Sequence, residues 1–333
     1  MTLPSHPLIP TRAYANLPFV NHVENQWHAK KIMHVVRQTN AKSAILVNFV
    51  YYFPEIMRYS LFNARVYVCF DEFPKMWRRR SRGNWLRHAY QSRLMQAREN
   101  RVASTADFCL TPHSGLKRKL ETHARDVRMF FHAHEFNTLW RPEATKGAEH
   151  TRKNTKCINV AYMGFIHYRL LDQWLLRILD EPDMQLNLIG PVNSHYDISI
   201  FSEHPNFVLH APVSDEPLAR LLSSMDVLVM PYDPAIPEVE VLTSTSKLFQ
   251  YIAVGKPIIS SDLPNLMDFP EGVLVKATSP SDFIEKIRLA YEEDCEEYRV
   301  LRRGIASENT WDKRGEQLHG YLNELLGDRF FQP

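Results

Sequence analysis

Glycine is scarce in this sequence. There are 11 glycines in 333 residues, and only Gly83, Gly115 and Gly147 precede residue 151. An average protein contains about 7% glycine, roughly twice this share. No G-x-G-x-x-G motif occurs, which argues against a dinucleotide-dependent dehydrogenase. The few early glycines also exclude a glycine-rich phosphate loop near the start of the chain.

Paired cysteines and long apolar segments are also lacking. The four cysteines (Cys69, Cys109, Cys157 and Cys295) form no C-x-x-C pair, so neither a zinc knuckle nor a thioredoxin-like site is predicted. No run of about 18 apolar residues occurs, so no membrane-spanning helix is expected. The first residues lack the basic and apolar regions of a secretory signal. Together these absences predict a cytoplasmic protein.

Charge is nearly balanced except in one region. The net charge of +2 is too small to indicate a nucleic-acid partner, and none is expected. Residues 75–101, however, contain nine basic residues and one acidic residue, with aromatic side chains between them. This pattern is typical of a helix that contacts an anionic membrane surface. A nucleic-acid patch and a solvated helix are the alternatives. The candidate membrane contacts are Trp77, Arg78, Arg79, Arg80 and Trp85.

The C-terminal half alternates short apolar runs with amphipathic segments. Such alternation predicts strands and helices in a parallel, doubly wound sheet. The predicted strands cover residues 159–165, 184–191, 206–211, 227–232, 257–261 and 272–277. The predicted helices cover residues 170–179, 216–224, 248–254, 280–292 and 311–327.

The N-terminal half has fewer strand signals. Its predicted strands cover residues 43–53, 64–70, 106–111 and 128–133, and its predicted helices cover residues 25–38, 54–62, 85–103 and 114–123. A nucleotide-binding domain of this class has about six strands, so we expect an abbreviated N-terminal domain without its first strand–helix unit. Residues 140–156 are polar and predict a linker. The expected division is therefore 1–148, 149–312, and a helix at 313–333 that packs back across the domains.

Residues 243–257 carry the most informative pattern. Hydroxyl side chains precede a predicted helix, Gly255 is suited to its C-terminal cap, and Pro257 prevents its continuation. A helix N-terminus at the carboxyl edge of a sheet attracts anions, and Lys247 adds a positive charge there. The segment therefore predicts a diphosphate site. The alternative is a capped surface helix with a solvated lysine.

This segment resembles a family motif. Residues 244–260 read STSKLFQYIAVGKPIIS, and this is similar to the donor site of GT-B glycosyltransferases of the glycogen-synthase-like, family-four type. Members that build bacterial surface polysaccharides often have S-x-P-x-K-L-x-E-Y-x-A-x-G-K-P-V-V-S. Residues 160–172, 188–191 and 221–232 resemble other elements of the donor domain in the same order. The resemblance implies an α/β fold with two Rossmann-like, doubly wound domains facing a cleft.

The resemblance also implies how the donor is bound. Gly164 would let the diphosphate approach the backbone, and Arg169 (or His167) together with Lys247 would neutralise it as it departs. Because fixed charges stabilise the leaving group in such enzymes, neither a metal ion nor a cofactor is expected. The diphosphate-binding candidates are Gly164, Arg169, Thr245, Ser246 and Lys247. The ribose- and sugar-binding candidates are Gln250, Glu240 and Tyr232.

The chain departs from the family pattern at two of these positions. Gln250 replaces a glutamate that grips the ribose diol, and an amide binds a hydroxyl more weakly than a carboxylate does. Thr245 replaces a proline. On the acceptor side, Asp71 and Glu72 follow the predicted strand 64–70 and are the candidates for a general base. A helix-capping acidic pair is the alternative.

The function that the resemblance implies is a glycosyltransferase. It would move a sugar from a nucleoside diphosphate sugar to a glycan or lipid-linked acceptor in cell-surface polysaccharide synthesis. We expect it in the cytoplasm, at the inner face of the membrane if residues 75–101 bind lipid. A non-catalytic GT-B-like protein that binds a glycan, a nucleotide or a partner is the alternative. A GT-B-shaped epimerase is less well supported, because the sequence shows no matching set of carboxylates and histidine.

Overall fold

The chain forms two compact units. The computed structural model describes residues 18–39, 43–51, 54–72, 74, 85–135, 157–240 and 245–327, without the side chains of residues 18–25, 85–88, 237 and 240. The first unit consists of Met1–Phe131 and Leu318–Pro333, and the second of His132–Gln317. The predicted boundary at 148/149 falls outside the described residues and stays a prediction.

The first unit is built on a parallel sheet. Its four strands lie in sequential order, and every pairing is parallel. The strands are β1 (Ile45–Asn48), β2 (Ala64–Val68), β3 (Phe108–Thr111) and β4 (Val127–Met129). The helices are α1 (Pro18–Gln38), α2 (Trp85–Thr105) and α3 (Ser114–Leu120).

Both faces of this sheet are covered. Side chains alternate along a strand, so Val66 and Val68 pack into one core cluster, whereas Tyr67 packs into another. The first cluster includes Leu322, from the C-terminal helix. The second includes Val102 of α2. Burial on both faces explains why the strands read as continuous apolar runs.

The second unit is larger and contains a parallel sheet of six strands. Its strands are β5 (Ile158–Met163), β6 (Met184–Ile189), β7 (Phe207–His210), β8 (Val227–Met230), β9 (Ile258–Ser261) and β10 (Leu274–Ala277). Its helices are α4 (Asp172–Leu179), α5 (Ser199–Ser202), α6 (Asp215–Ser224), α7 (Pro237–Glu240), α8 (Ser246–Val254), α9 (Pro280–Glu292) and α10 (Glu296–Ser307). The last helix of the chain, α11 (Trp311–Leu326), begins in this unit and ends in the first.

The strand order of the second sheet marks a functional edge. The order is β10-β9-β8-β5-β6-β7, so the chain starts at β5, builds outward to β7, and then crosses back to β8. In open α/β sheets, ligands bind where the order reverses, at the carboxyl ends of the two central strands. Here those strands are β5 and β8. Gly164 follows the first and Tyr232 follows the second.

The sequence predictions of the elements are largely confirmed. All ten predicted strands occur, with ends that differ by a few residues. The predicted helix at 54–62 is wrong, because only a 3-10 turn at Ile56–Arg58 forms among the described residues there. Helix α10 was not predicted, because its charged sequence shows few apolar positions. The predicted α/β fold class with parallel sheets is confirmed, and the second sheet has the reversal of strand order that a doubly wound sheet shows.

None of the helices in the described ranges combines the length and apolar character needed to cross a membrane.

Candidate functional site

Helix α8 begins as the sequence predicted. Thr245 is its N-cap residue, and the hydroxyl Oγ1 accepts a hydrogen bond of 3.1 Å from the backbone N–H of Leu248. Gly255 ends the helix in the left-handed conformation, with φ of 78°. Ser246, at the first turn, is exposed. The helix N-terminus therefore stands at the carboxyl edge of the sheet, where its free N–H groups favour an anion.

Loss of the Thr245 cap should destabilise the second unit. We expect Thr245→Ala to lower the free energy of unfolding by about 1 kcal/mol, because the Leu248 N–H loses its partner. Urea titration of both variants would measure this. Ser246→Ala is the matched control and should stay within about 0.5 kcal/mol, because its exposed hydroxyl does not cap the helix. Equal effects of the two changes would contradict the capping role.

Lys247 is not the solvated lysine that the alternative interpretation, a capped surface helix, predicts. Its side chain is buried, with only 9% of the residue exposed. The ammonium Nζ donates a 2.6 Å hydrogen bond to the hydroxyl of Tyr232 and lies 3.8 Å from the centre of the Tyr162 ring. Burial lowers the pKa of Lys247, and the contact with Tyr232 partly opposes this effect. A lysine thus stands at the switch point between β5 and β8.

Gly164 makes room for this lysine. A Cβ atom at Gly164 would lie 2.6 Å from Lys247 Nζ, and the backbone has φ of +136°, which side chains rarely adopt. Gly190, at the end of β6, has φ of +135°, and a Cβ there would lie 2.3 Å from the carbonyl oxygen of Gly164. Both glycines are thus required for close approach of the backbone. This agrees with the predicted role of Gly164 in admitting a ligand to the backbone, which stays a prediction.

The loop after β5 brings Arg169 to the same edge. The carbonyl of Arg169 accepts a 2.9 Å hydrogen bond from the N–H of Asp233, and the N–H of Leu171 donates to Pro231 at 2.8 Å. These bonds tie the loop to the chain that follows β8. The guanidinium is half-buried, and its Nε has no hydrogen-bond partner among the described residues. Arg169 is therefore free to bind an anion.

His167 is near both cations but is itself neutral. Burial lowers the pKa of His167 to about 4, and Arg169 and Lys247 add to this effect. Its Nδ1 accepts a 3.0 Å hydrogen bond from the backbone N–H of Arg169. The proton of the neutral ring is then on Nε2. His167 can donate a hydrogen bond to a ligand, but it supplies no charge near pH 7.

Among the described residues, no carboxylate neutralises either cation of this edge. Lys247 and Arg169 form no ion pair there, whereas the buried or half-buried Lys119 and Arg302 each do. Lys247 and Arg169 both lie close enough to His167 to depress its pKa. Two positive charges that converge without acidic partners create a site for a multiply charged anion.

The ribose and sugar candidates are only partly described. Gln250 is half-buried, one turn after Lys247 on α8. Glu240 ends the short helix α7, and its side chain lies outside the described part. The hydroxyl of Tyr232 accepts a hydrogen bond from Lys247, and its predicted role in sugar binding stays a prediction. Sequence analysis missed Tyr162, although its position two residues before Gly164 on β5 could have indicated it.

Asp71 and Glu72 differ in their surroundings. Asp71 is exposed, whereas Glu72 is 5% exposed and contacts Lys119 Nζ at 2.5 Å. The same ammonium contacts the fully buried Glu99, also at 2.5 Å. Glu72 is thus part of a buried charge cluster in the first unit, made of Glu72, Glu99 and Lys119. The prediction of a general base at this pair stays a prediction.

The candidate membrane contacts cannot be placed. Trp77, Arg78, Arg79 and Arg80 lie outside the described residues. Trp85 begins helix α2, and its side chain is likewise outside the description.

Comparison with known proteins supports the interpretation of the second unit. Residues 163–293 match the family of glycosyl transferases group 1. A protein of Bacillus subtilis, named as the teichuronic acid biosynthesis glycosyltransferase TuaH, is 27% identical over 150 residues. That alignment covers 43% of this chain and only 37% of the relative.

Solved structures match over a larger part of the chain. Sucrose-phosphate synthase from Thermosynechococcus elongatus has a TM-score of 0.69 at 15% identity, covering 98% of this chain and 82% of that one. HepE of Anabaena, solved in complex with UDP-glucose, has a TM-score of 0.57 at 12% identity, covering 78% and 72%. At these identities the likeness establishes the fold. The chain thus has the GT-B fold, and its residues 163–293 are similar to the group 1 glycosyl transferases.

Proposed function

We propose that this protein transfers a sugar from a nucleoside diphosphate sugar to an acceptor hydroxyl. The observation that carries the proposal is the pair Lys247 and Arg169, two cations without carboxylate partners in the described residues, at the switch point of the second sheet. A diphosphate is the anion that matches them. The N-terminus of α8 and the neutral His167 add hydrogen-bond donors.

In this proposal the site stabilises the leaving group. As the bond between the sugar and the diphosphate breaks, negative charge develops on the departing phosphate oxygen. Lys247 and Arg169 are already in place, so no reorganisation is needed when the charge appears. The resemblance implies that these fixed charges suffice without a metal ion or cofactor. Full activity in the presence of a chelator such as EDTA would be consistent with this.

The acceptor is proposed from similarity alone. The relative in Bacillus subtilis is named for teichuronic acid biosynthesis, and the motif at residues 244–260 resembles enzymes of bacterial surface polysaccharides. We therefore propose a glycan or lipid-linked acceptor. The basic residues 75–101 would bind an anionic membrane surface at its cytoplasmic face. If vesicles rich in anionic lipid fail to sediment the protein at low salt, this part of the proposal is wrong.

The function is tested by a donor screen. Calorimetry with UDP, GDP and dTDP should detect binding of at least one nucleoside diphosphate. The matching sugar nucleotides should then be turned over in the presence of a glycan acceptor. If none of the three nucleotides binds, the proposal fails.

A non-catalytic protein is the second candidate, and Gln250 is the observation that favours it. An amide stands where the family has the ribose-binding glutamate. A purified chain that binds a nucleotide but neither hydrolyses nor transfers any sugar would support this candidate. Restored turnover in a Gln250→Glu variant would indicate instead that the transferase machinery is otherwise intact.

A further inference from the structure

Two tyrosines connect Lys247 to the loop that carries Arg169. We infer that Tyr162 and Tyr232 form a hydrogen-bonded relay that positions the Lys247 ammonium and couples it to the loop after β5, so that both cations meet one diphosphate. The inference deepens the proposed function and depends on it only for the identity of the ligand. Tyr232 then acts as a positioning residue for the lysine rather than as a contact to the sugar.

The direction of the relay follows from its two ends. Lys247 Nζ donates to Tyr232 at 2.6 Å, the two tyrosine hydroxyls are 3.5 Å apart, and Tyr162 donates to the carbonyl of Phe165 at 3.0 Å. An ammonium can only donate and a carbonyl can only accept. The Tyr232 hydroxyl must therefore donate to the Tyr162 hydroxyl. This is the single arrangement of donors and acceptors along the relay that agrees with both of its ends.

The relay also compensates for burial of the lysine charge. A buried ammonium without a carboxylate is costly. Here its charge lies over the face of Tyr162, 3.8 Å from the ring centre, and 4.9 Å from the centre of the Tyr232 ring. Electron-rich ring faces attract cations. The two rings meet edge to face at an angle of 83° and so form two walls around the ammonium. These contacts favour the charged form of the lysine, in opposition to burial, which lowers its pKa.

The far end of the relay is in the loop of Arg169. The Phe165 carbonyl, which accepts from Tyr162, directly follows Gly164 and is four residues before Arg169. The other end of the loop is tied to the chain around Tyr232, since Leu170 and Tyr232 form an antiparallel bridge. A movement of Tyr232 therefore changes the support of both cations. This is the physical basis of the proposed coupling.

Tyr232→Phe is the variant that tests the relay, and Tyr251→Phe is its matched control. Both changes remove one hydroxyl from a buried tyrosine of the same cluster. The Tyr251 hydroxyl accepts from the Met163 N–H at 2.6 Å and donates to the Val229 carbonyl, so it has no bond to Lys247. A general loss of packing would appear in both variants. Loss of the relay would appear only in Tyr232→Phe.

The first measurement uses the free protein and needs no nucleotide. The protein is labelled with 13C-lysine, and the Cε signal that is absent from the Lys247→Met spectrum is assigned to Lys247. The chemical shift of this signal is sensitive to the ring current of Tyr162. In Tyr232→Phe this ring-current shift should shrink, and the titration midpoint of Lys247 should fall, because the charged form loses an acceptor. Among the described residues, the titratable groups near Lys247 are Tyr162, Tyr232 and His167, and Arg169 acts on Tyr232 and His167. An unchanged shift and midpoint would overturn the inference.

The second measurement adds UDP. Tyr232→Phe should weaken its binding about tenfold. Above about pH 7 the terminal phosphate of UDP is fully ionised. In this range UDP affinity should decline as the pH rises, and in Tyr232→Phe this decline should begin at a lower pH than in the wild type. In a double-mutant cycle, Tyr232→Phe and Arg169→Ala should be non-additive, because the relay joins them. Additive effects would overturn the coupling. Failure of the wild type to bind any nucleotide would refute the proposed function, whereas the lysine signal would still decide the relay.

Discussion

Replacing Lys247 by methionine is expected to reduce sugar transfer about 100- to 1,000-fold while the second unit stays folded. The ammonium would face the charge that develops on the leaving group, and no other cation of the described chain contacts Tyr232. Methionine keeps the length and apolar character of the lysine stem. Because Lys247 forms no ion pair with a described carboxylate, its removal leaves no orphaned charge, and the free energy of unfolding should be unchanged or higher.

Steady-state kinetics with the cognate donor, beside thermal unfolding, would measure both parts of this expectation. Lys276→Met is the matched control, since Lys276 lies in the same unit and pairs at 3.0 Å with the highly exposed Asp268. Its loss should alter neither turnover nor UDP affinity. The site assignment is wrong if Lys247→Met retains wild-type turnover and affinity for the nucleotide.

Lys119→Met is expected to have the largest effect on stability. Lys119 contacts both Glu72 and Glu99, which are almost completely buried. Burial lowers the pKa of Lys119, but the two carboxylates outweigh this effect and raise the pKa. Without the lysine, both buried carboxylates lose this cation. The free energy of unfolding should fall by about 3–5 kcal/mol, as for other broken buried ion pairs.

Lys117→Met, two residues away, is the control, because Lys117 pairs with Glu121 at 3.8 Å on the surface and its loss should cost under about 1 kcal/mol. Similar losses in both variants, measured by urea titration, would contradict the role of the cluster.

The parts of this structure that could be predicted from sequence are those set by local rules. The cap at Thr245 and the end of the helix at Gly255 follow from the conformational preferences of neighbouring residues. The strands of the second unit follow from apolar runs of the length that a buried parallel strand requires. The motif around Lys247 then located the candidate site, and the similarity of residues 163–293 to group 1 glycosyl transferases agrees with it.

The parts that could not be predicted depend on contacts between distant residues. Lys247 and Tyr232 are 15 residues apart and Glu72 and Lys119 are 47 apart, and nothing in the local sequence pairs them. The motif indicated that Lys247 bears charge, but not that two aromatic rings enclose it. Glu72 was a candidate base by sequence, and nothing there indicated that Lys119, on helix α3, contacts it. The surroundings of Glu72 and of the two tyrosines are thus visible only in the tertiary structure.

Gly164 has no side chain, and this restricts which substitutions the site can accept. A Cβ atom at this position would lie 2.6 Å from Lys247 Nζ, so any side chain here would compete with the lysine for space. The two positions are far apart in the chain, yet they share one small volume. A larger residue at 164 therefore requires a shorter one at 247. A shorter residue at 247 would remove the steric conflict, but the positive φ at residue 164 would still favour glycine. Variation at these two positions is expected to be epistatic, so that neither can be interpreted without the other.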